Sequence, residues 1–388
     1  MKISLATNFD NKLIDKIKDY SVYEVYGKMK YDYIGGGRPD NTLLNIDKKK
    51  FESHVKKVRE AGIRFNYLLN GSCLSNKEQN PIWQRKLKKF LNYLKSVGVN
   101  SLTITNPYIL MFVKKYFKKY FKVRISTFAC IDSYTKAKYW EDLGADCLCV
   151  DFVKINRDFK TLKYMVDNLK SAKIEILVTN SCLKNCPMIY THINGLAHAS
   201  TKEKSGSFYE DWSLFYCQKK EIENIEEYIK SPWVRPEDIK FYENIGIEHF
   251  KITERGFPTN ELVKRVKAYN NRKYKGNLLD LIQGHGVIKK KNLKFQKQVV
   301  CSRKEIYEEI KRVRGLGRPR ECERHIYIDN KKLDNFIKFF VDNKCSGNCN
   351  SCGYCNVIAK NVIIKNQEVC DYLLELYNKY DDAKMNIR

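Results

Sequence analysis

Over the first 255 residues, short apolar runs alternate with amphipathic stretches. The apolar runs cover 3–7, 22–26, 65–69, 102–105, 123–128, 147–152, 174–179 and 250–253. Several are rich in β-branched and aromatic residues, which suits buried parallel strands. Between them, apolar residues recur at helical spacing over 48–60, 83–97, 109–120 and 158–169. Gly62, Gly98, Gly144 and Gly246 each close a helical stretch just before a strand. Eight strands separated by helices predict a (β/α)8 barrel of the TIM type, with a doubly wound sheet as the alternative.

The spacing breaks once. About seventy residues separate the seventh and eighth runs, and only 235–245 there reads as a barrel helix. Residues 181–234 are therefore an insertion at the C-terminal end of a strand, where barrel enzymes keep their chemistry. After the eighth run, 259–270 reads as the closing helix. The expected division is a barrel over 1–270, a basic connecting region over 271–330, and a C-terminal cysteine module over 331–388. About forty residues around 340–380 hold too little core to fold alone, so metal ligation is expected to nucleate a separable unit. No uncharged apolar run is long enough to span a membrane. The N-terminus reads as a first strand, not a signal peptide, and a cytoplasmic location is expected.

Composition adds charge. Among 388 residues, Lys and Arg number 72 against 45 Asp and Glu, a formal net charge of +27. Such a field attracts polyanions, although an AT-rich genome would also enrich lysine. The densest stretch, 272–304, includes Lys289, Lys290 and Lys291, with Tyr274 and Phe295 among the cations. It is a candidate contact for RNA, since cations neutralise phosphates and aromatics stack on bases.

The fourteen cysteines are the main chemical signal. Their crowding into short clusters suits an intracellular metal protein better than a disulfide framework. Cys345, Cys349, Cys352 and Cys355 lie within eleven residues, separated by Gly and Asn. Four thiolates so spaced can wrap an iron–sulfur cluster, with zinc as the rival. The first three match the Cys-x3-Cys-x2-Cys of radical S-adenosylmethionine enzymes, but that motif follows the first barrel strand, and here it lies beyond the barrel. A second group, Cys182 and Cys186, follows the seventh strand, and Cys217 lies in the same insertion. These three suggest a second centre, with buried structural thiols as the alternative. Its fourth ligand is Cys73 or Cys130, both just past strand ends, or an open position. Cys147 and Cys149 read as small core residues.

Other candidates lie where strands end. Glu254 and Arg255 follow the eighth run, and Arg235 follows the insertion. Two arginines could hold an anionic, dicarboxylate substrate bidentately. His192 and His198 follow the cysteine pair and could serve a Cys–His dyad or donate to substrate. No GxSxG elbow or HExxH motif occurs.

The NSCLKNCP sequence at 180–187, the segment SPWVRPEDIKFYENIGIEHFKITERG at 231–256 and EVYGK at 24–28 together resemble the peptidase U32 family, over roughly residues 2–270. The resemblance implies an iron–sulfur barrel protein rather than a peptidase. Characterised relatives act in oxygen-independent hydroxylation of ubiquinone precursors, tRNA or rRNA, with prephenate implicated as the oxygen source. It implies Cys182 and Cys186 as ligands of a 4Fe-4S cluster, with Cys217 as third ligand, and an electron donor or partner subunit for an anaerobic redox reaction. The Cys-Ala-Gln-Pro-Cys-Arg type signature of the collagenase-like branch is missing, and the tail cluster is atypical. The expectation is a divergent member with a second 4Fe-4S cluster in its tail.

Overall fold

Eight parallel strands close into a barrel in the computed structural model: β1 (Lys2–Ala6), β2 (Val22–Gly27), β3 (Arg64–Leu69), β4 (Ser101–Ile104), β5 (Lys122–Ile125), β6 (Cys147–Cys149), β7 (Lys173–Leu177) and β8 (His249–Ile252). β8 returns to β1 with Ile3 opposite Phe250. The structure describes residues 1–118, 120–201, 210–282, 287–289, 302–314 and 322–385. The predicted (β/α)8 barrel is the observed fold.

Strand alternation sets what faces where. Ile3, Leu5, Phe65, Leu102, Val123, Leu148, Ile174 and Phe250 face the helices and build the main apolar core. The residues between them fill the barrel with polar groups. Glu24 accepts from Ser4 Oγ at 3.0 Å and Asn66 Nδ2 at 2.9 Å, and Arg124 Nε lies 3.4 Å from it. Arg124 also pairs with Glu175, and Lys251 Nζ stands 3.8 Å from Glu175. Burial alone would push the Glu175 carboxyl up, but Arg124 and Lys251 hold it below the ordinary range. The interior is thus an ion network, held together because each charge has a partner.

Two predicted strands end early because a side chain caps the next helix. Ser126 accepts from Phe128 N and starts the turn Thr127–Ala129, and Asp151 accepts from Val153 N and starts the helix Phe152–Ile155. The stretch 235–245 splits into the turn Pro236–Asp238 and the helix Ile239–Glu243. The closing helix is Thr259–Asn270, as expected.

The insertion folds over the mouth. Its first helix, Ile189–Ala199, is tied to the loops after β2 and β3: Gly36 N donates to Ser200 Oγ at 2.7 Å, and Ser72 Oγ donates to Asn194 Oδ1 at 2.8 Å. Its second helix, Trp212–Glu223, packs against the C-terminal helix Gln367–Ala383 and the helix Arg303–Arg314. Phe215 meets the rings of Tyr307, Tyr377 and Tyr380, Tyr377 donates to Gln218 at 2.8 Å, and Lys219 pairs with Asp381 at 2.6 Å. The tail packs on the rest of the chain: one apolar core runs from barrel to tail, and Phe336, Phe340, Val362 and Leu373 belong to it. In the basic stretch, Lys290, Lys291, Lys294, Phe295 and Lys297 lie outside the described residues.

Candidate active site and cysteine groups

Three insertion cysteines meet at the mouth. Cys182, Cys186 and Cys217 share one apolar cluster with Leu183, Leu177, Phe152 and Val153. The chain reaches this place because β7 ends at Leu177 and the loop is pinned by Ser231 Oγ, which accepts from Cys182 N at 2.9 Å. The Cys182 thiol donates to Cys186, and this bond, burial and the nearby Cys217 push Cys182 well up. The same bond, against burial and with the Met188 N–H and His192 alongside, pulls Cys186 down to about 7. Cys217 Sγ donates to Leu214 O at 3.1 Å.

Cys149 of β6 packs in this cluster, and Cys73 and Cys130 do not. Cys130 lies elsewhere, its thiol pushed up to about 11 by burial. Cys149 was legible only through alternation: in Cys147-Leu148-Cys149, Leu148 joins the outer core, so both cysteines turn into the barrel.

The tail cysteines stand beside the same loop. Lys184 Nζ, between Cys182 and Cys186 in sequence, donates to Cys345 Sγ at 3.4 Å. Cys355 is pushed up to about 11 by burial, which Arg157 and Lys184 oppose and Cys349 and Cys345 reinforce. Arg157 is fixed by Ile229 O at 2.7 Å and Trp233 O at 2.9 Å, with its guanidinium 4.3 Å from the Trp233 ring centroid. Gly347 and Gly353, at φ +80° and +64°, make the turns that bring the short helix Cys349–Cys352 and the helix Tyr354–Val362 round. Among the described residues, no three His, Cys, Asp or Glu side chains stand in a closed ligating arrangement. The donor sets are nonetheless what iron–sulfur clusters take: sulfur throughout, with Arg157 and Lys184 supplying positive charge at the tail group.

Cations gather at the mouth too. Arg255 Nη1 is buried with no hydrogen-bond partner, and burial, with Arg38 nearby, pulls its guanidinium down to about 10. Arg38 Nη2 pairs with Glu254 Oε1 at 2.8 Å, and Glu254 holds a left-handed backbone, φ +95°. Strain of this kind is sustained only where surroundings impose it. Lys28 pairs with Asp32 at 3.0 Å, both side chains fully buried, and Asp32 also accepts from Tyr67 OH at 3.0 Å. Asn70 Oδ1 is buried without a partner beside Gly36. The Gly35–Gly37 loop is thus an ordered wall of the mouth.

Two site candidates are corrected. Arg235 is not a mouth cation: its guanidinium donates to Asp238 through Nε and Nη2, at 2.9 and 3.0 Å, and to Asn330 O at 2.7 Å, which anchors the tail. His198 is exposed on the lid helix, whereas His192 lies toward Cys186 and pairs with Asp211 at 3.1 Å. Burial would lower His192, but the Asp211 hydrogen bond and charge raise it overall. Arg38 and Lys28 were missed as mouth cations, although GGGRP and EVYGK carried them in the sequence.

The chain is 28% identical over 366 residues to an uncharacterized protease of Methanocaldococcus jannaschii, covering 93% of this chain and 95% of that protein. A solved U32 peptidase matches at 19% identity and a TM-score of 0.48, over 66% of this chain and 93% of its own. A chitinase from Rhizomucor miehei matches at 9% identity and a TM-score of 0.37, over 70% of this chain and all of its own. The family model for peptidase family U32 matches residues 38–275, more than half the chain, and the chain belongs to that family.

Proposed function

We propose that this protein is an iron–sulfur redox enzyme acting on an anionic substrate at the barrel mouth. The carrying observation is the grouping of Cys182, Cys186 and Cys217 under the lid, with Cys149 in the same apolar cluster, beside a mouth where Arg255, Arg38 and Lys28 gather. In this reading the four cysteines hold a 4Fe-4S cluster, which supplies one-electron chemistry at the mouth. A second cluster is held by Cys345, Cys349, Cys352 and Cys355. Arg255, with an unmet buried donor, takes a carboxylate or phosphate of the substrate, and Arg38 and Lys28 balance its charge. Glu254 holds Arg38 in place. Asn70, also unmet, takes a hydroxyl or amide donor. The dicarboxylate prephenate and a nucleotide phosphate of an RNA both fit these donors, and the reaction class is oxygen-independent hydroxylation with prephenate as the oxygen donor.

Anaerobic purification tests the reading: a brown protein absorbing near roughly 400 nm supports it, and a colourless, iron-free one refutes it. Acid extraction of the same sample should release an anionic ligand from wild type and not from Arg255→Ala.

One arrangement favours a second reading. Cys186, His192 and Asp211 stand in the order nucleophile, base and orienting carboxylate, and the relatives carry protease names. In a cysteine peptidase Cys186 would be alkylated by iodoacetamide in the purified protein, and casein hydrolysis would disappear with it. In the iron–sulfur enzyme Cys186 is protected until the metal is removed.

A further inference from the structure

We propose that the outer face of helices Pro81–Val97 and Pro107–Phe117, with the aromatic cavity beside it, docks single-stranded RNA. Helix Pro81–Val97 carries Arg85, Lys86, Lys88, Lys89 and Lys95 and no acidic residue. Helix Pro107–Phe117 adds Lys115, and Lys114, which is paired with Asp146 at 3.2 Å, again with no acidic residue in the helix itself. All five cations of the first helix are exposed, and among the described residues none of them stands in an ion pair.

Five cations on a helix without one acidic residue set this face apart. Several helical lysines elsewhere are laced to carboxylates one turn away, as in Lys163–Asp167, Lys220–Glu223 and Lys379–Glu375, whereas helix Pro81–Val97 has no acidic residue to lace its five. Unpaired cations on one face leave a field that only an external anion can neutralise.

Aromatic rings interleave with the cations. Lys88 Nζ lies 4.4 Å from the centroid of Tyr116, and Lys95 Nζ lies 4.8 Å from that of Tyr120. Both tyrosines are exposed, at 43% and 38%. Beside them a cavity of about 350 Å³ is walled by Tyr33, Phe90 and Tyr93, with Lys48, Lys86 and Lys89 at its rim. Tyr33 is 44% exposed and meets Phe90 edge-on at 5.8 Å. Flat rings beside cations are what an unstacked base and its phosphate require. A bilayer surface would be met by the charge alone and makes no use of an aromatic cavity. Tyr33 lies on the loop that also carries Lys28 and Arg38 to the mouth, so a strand seated there leads toward the site. The docking surface deepens the RNA alternative of the proposed function, but binding at it does not require the mouth chemistry.

The test is fluorescence anisotropy of labelled poly(U) RNA with the full-length, anaerobically purified protein over a salt series. Replacing Lys86, Lys88 and Lys89 together by Ala should weaken binding and lower the log–log salt slope by about 2, since each single-strand phosphate contact contributes roughly 0.7. Tyr33→Ala should weaken binding about tenfold, as loss of one stacked base does, and leave the slope unchanged. Alanine at exposed helical positions favours the helix, so the triple variant should fold, with circular dichroism as the check. The control Lys331→Ala with Lys332→Ala, in the turn Lys331–Leu333, should bind as wild type. Equal affinity and slope in wild type and the triple variant would overturn the inference. So would binding to phosphatidylserine vesicles with none to RNA.

Discussion

His54 is sealed against β1, its Nε2 2.7 Å from Thr7 Oγ1 and its Nδ1 2.8 Å from Asn11 Oδ1. Burial pulls it down to about 4. An unfolded histidine binds its proton near pH 6.5, so below that the unfolded chain gains a proton that the folded chain refuses. Stability should therefore fall as pH drops from about 6.5 through about 4, by about 3 kcal/mol at the acid limit for this residue. Urea midpoints at several pH values check it, and His54→Gln, which cannot titrate, should show a shallower decline. Glu175 makes the complementary case. Its carboxyl is held below the ordinary range, so its contribution is present above about pH 4.5 and lost as pH falls through the lowered value. Glu175→Ala leaves Arg124 buried with half its neutralisation gone and should cost about 3–5 kcal/mol, whereas paired replacement of Arg124 and Glu175 by Met and Leu should cost less. Additive losses in the double variant would show that the network is not a unit.

Among the elements, the strands and helices were legible because each buries an apolar stripe that repeats with its own period. Helix Pro81–Val97 is the clearest case: Asn80 caps its start, Pro81 opens it, and Gly98 at φ +96° ends it. The barrel's inner face was less legible. Glu24, Arg124, Glu175 and Lys251 lie within or beside apolar runs, and only closure of the barrel shows that they meet. Cys149 was hidden likewise, and Arg235 looked like a mouth cation because sequence does not show which way a side chain turns at a strand end. The mouth loops offer an element-scale test. A Cβ at Gly71 would stand 2.3 Å from the Ile34 carbonyl oxygen, which is backbone and cannot swing away. Gly71→Ala should displace the loop that carries Asp32 and Arg38 and cost about 1–3 kcal/mol. Faster tryptic cleavage at Arg38 in the variant would register the shift, and cleavage at the wild-type rate would argue against that packing.

Across the whole molecule, barrel, insertion and tail depend on one another. Glu210 is reached by both Arg303, at 2.6 Å, and Tyr380 OH, at 2.6 Å, so the helix Arg303–Arg314 and the C-terminal tail helix together hold the start of the helix that carries Cys217. Ending the chain at residue 330 should expose the Phe215 face, lower the melting temperature of what remains and loosen Cys217. A truncated chain that melts as the full one does would return the tail to the status of an independent module. No helix among the described residues is long and apolar enough to cross a membrane. The same architecture places both cysteine groups on either side of the Lys184 loop, and the central claim is that each holds its own cluster. Iron and acid-labile sulfide, counted per chain after anaerobic purification, test this most directly. Two 4Fe-4S clusters predict about eight irons in wild type and about four in Cys182→Ala, in Cys186→Ala and, separately, in Cys352→Ala. Iron-free wild type, or iron unchanged in both Cys182→Ala and Cys186→Ala, would contradict it.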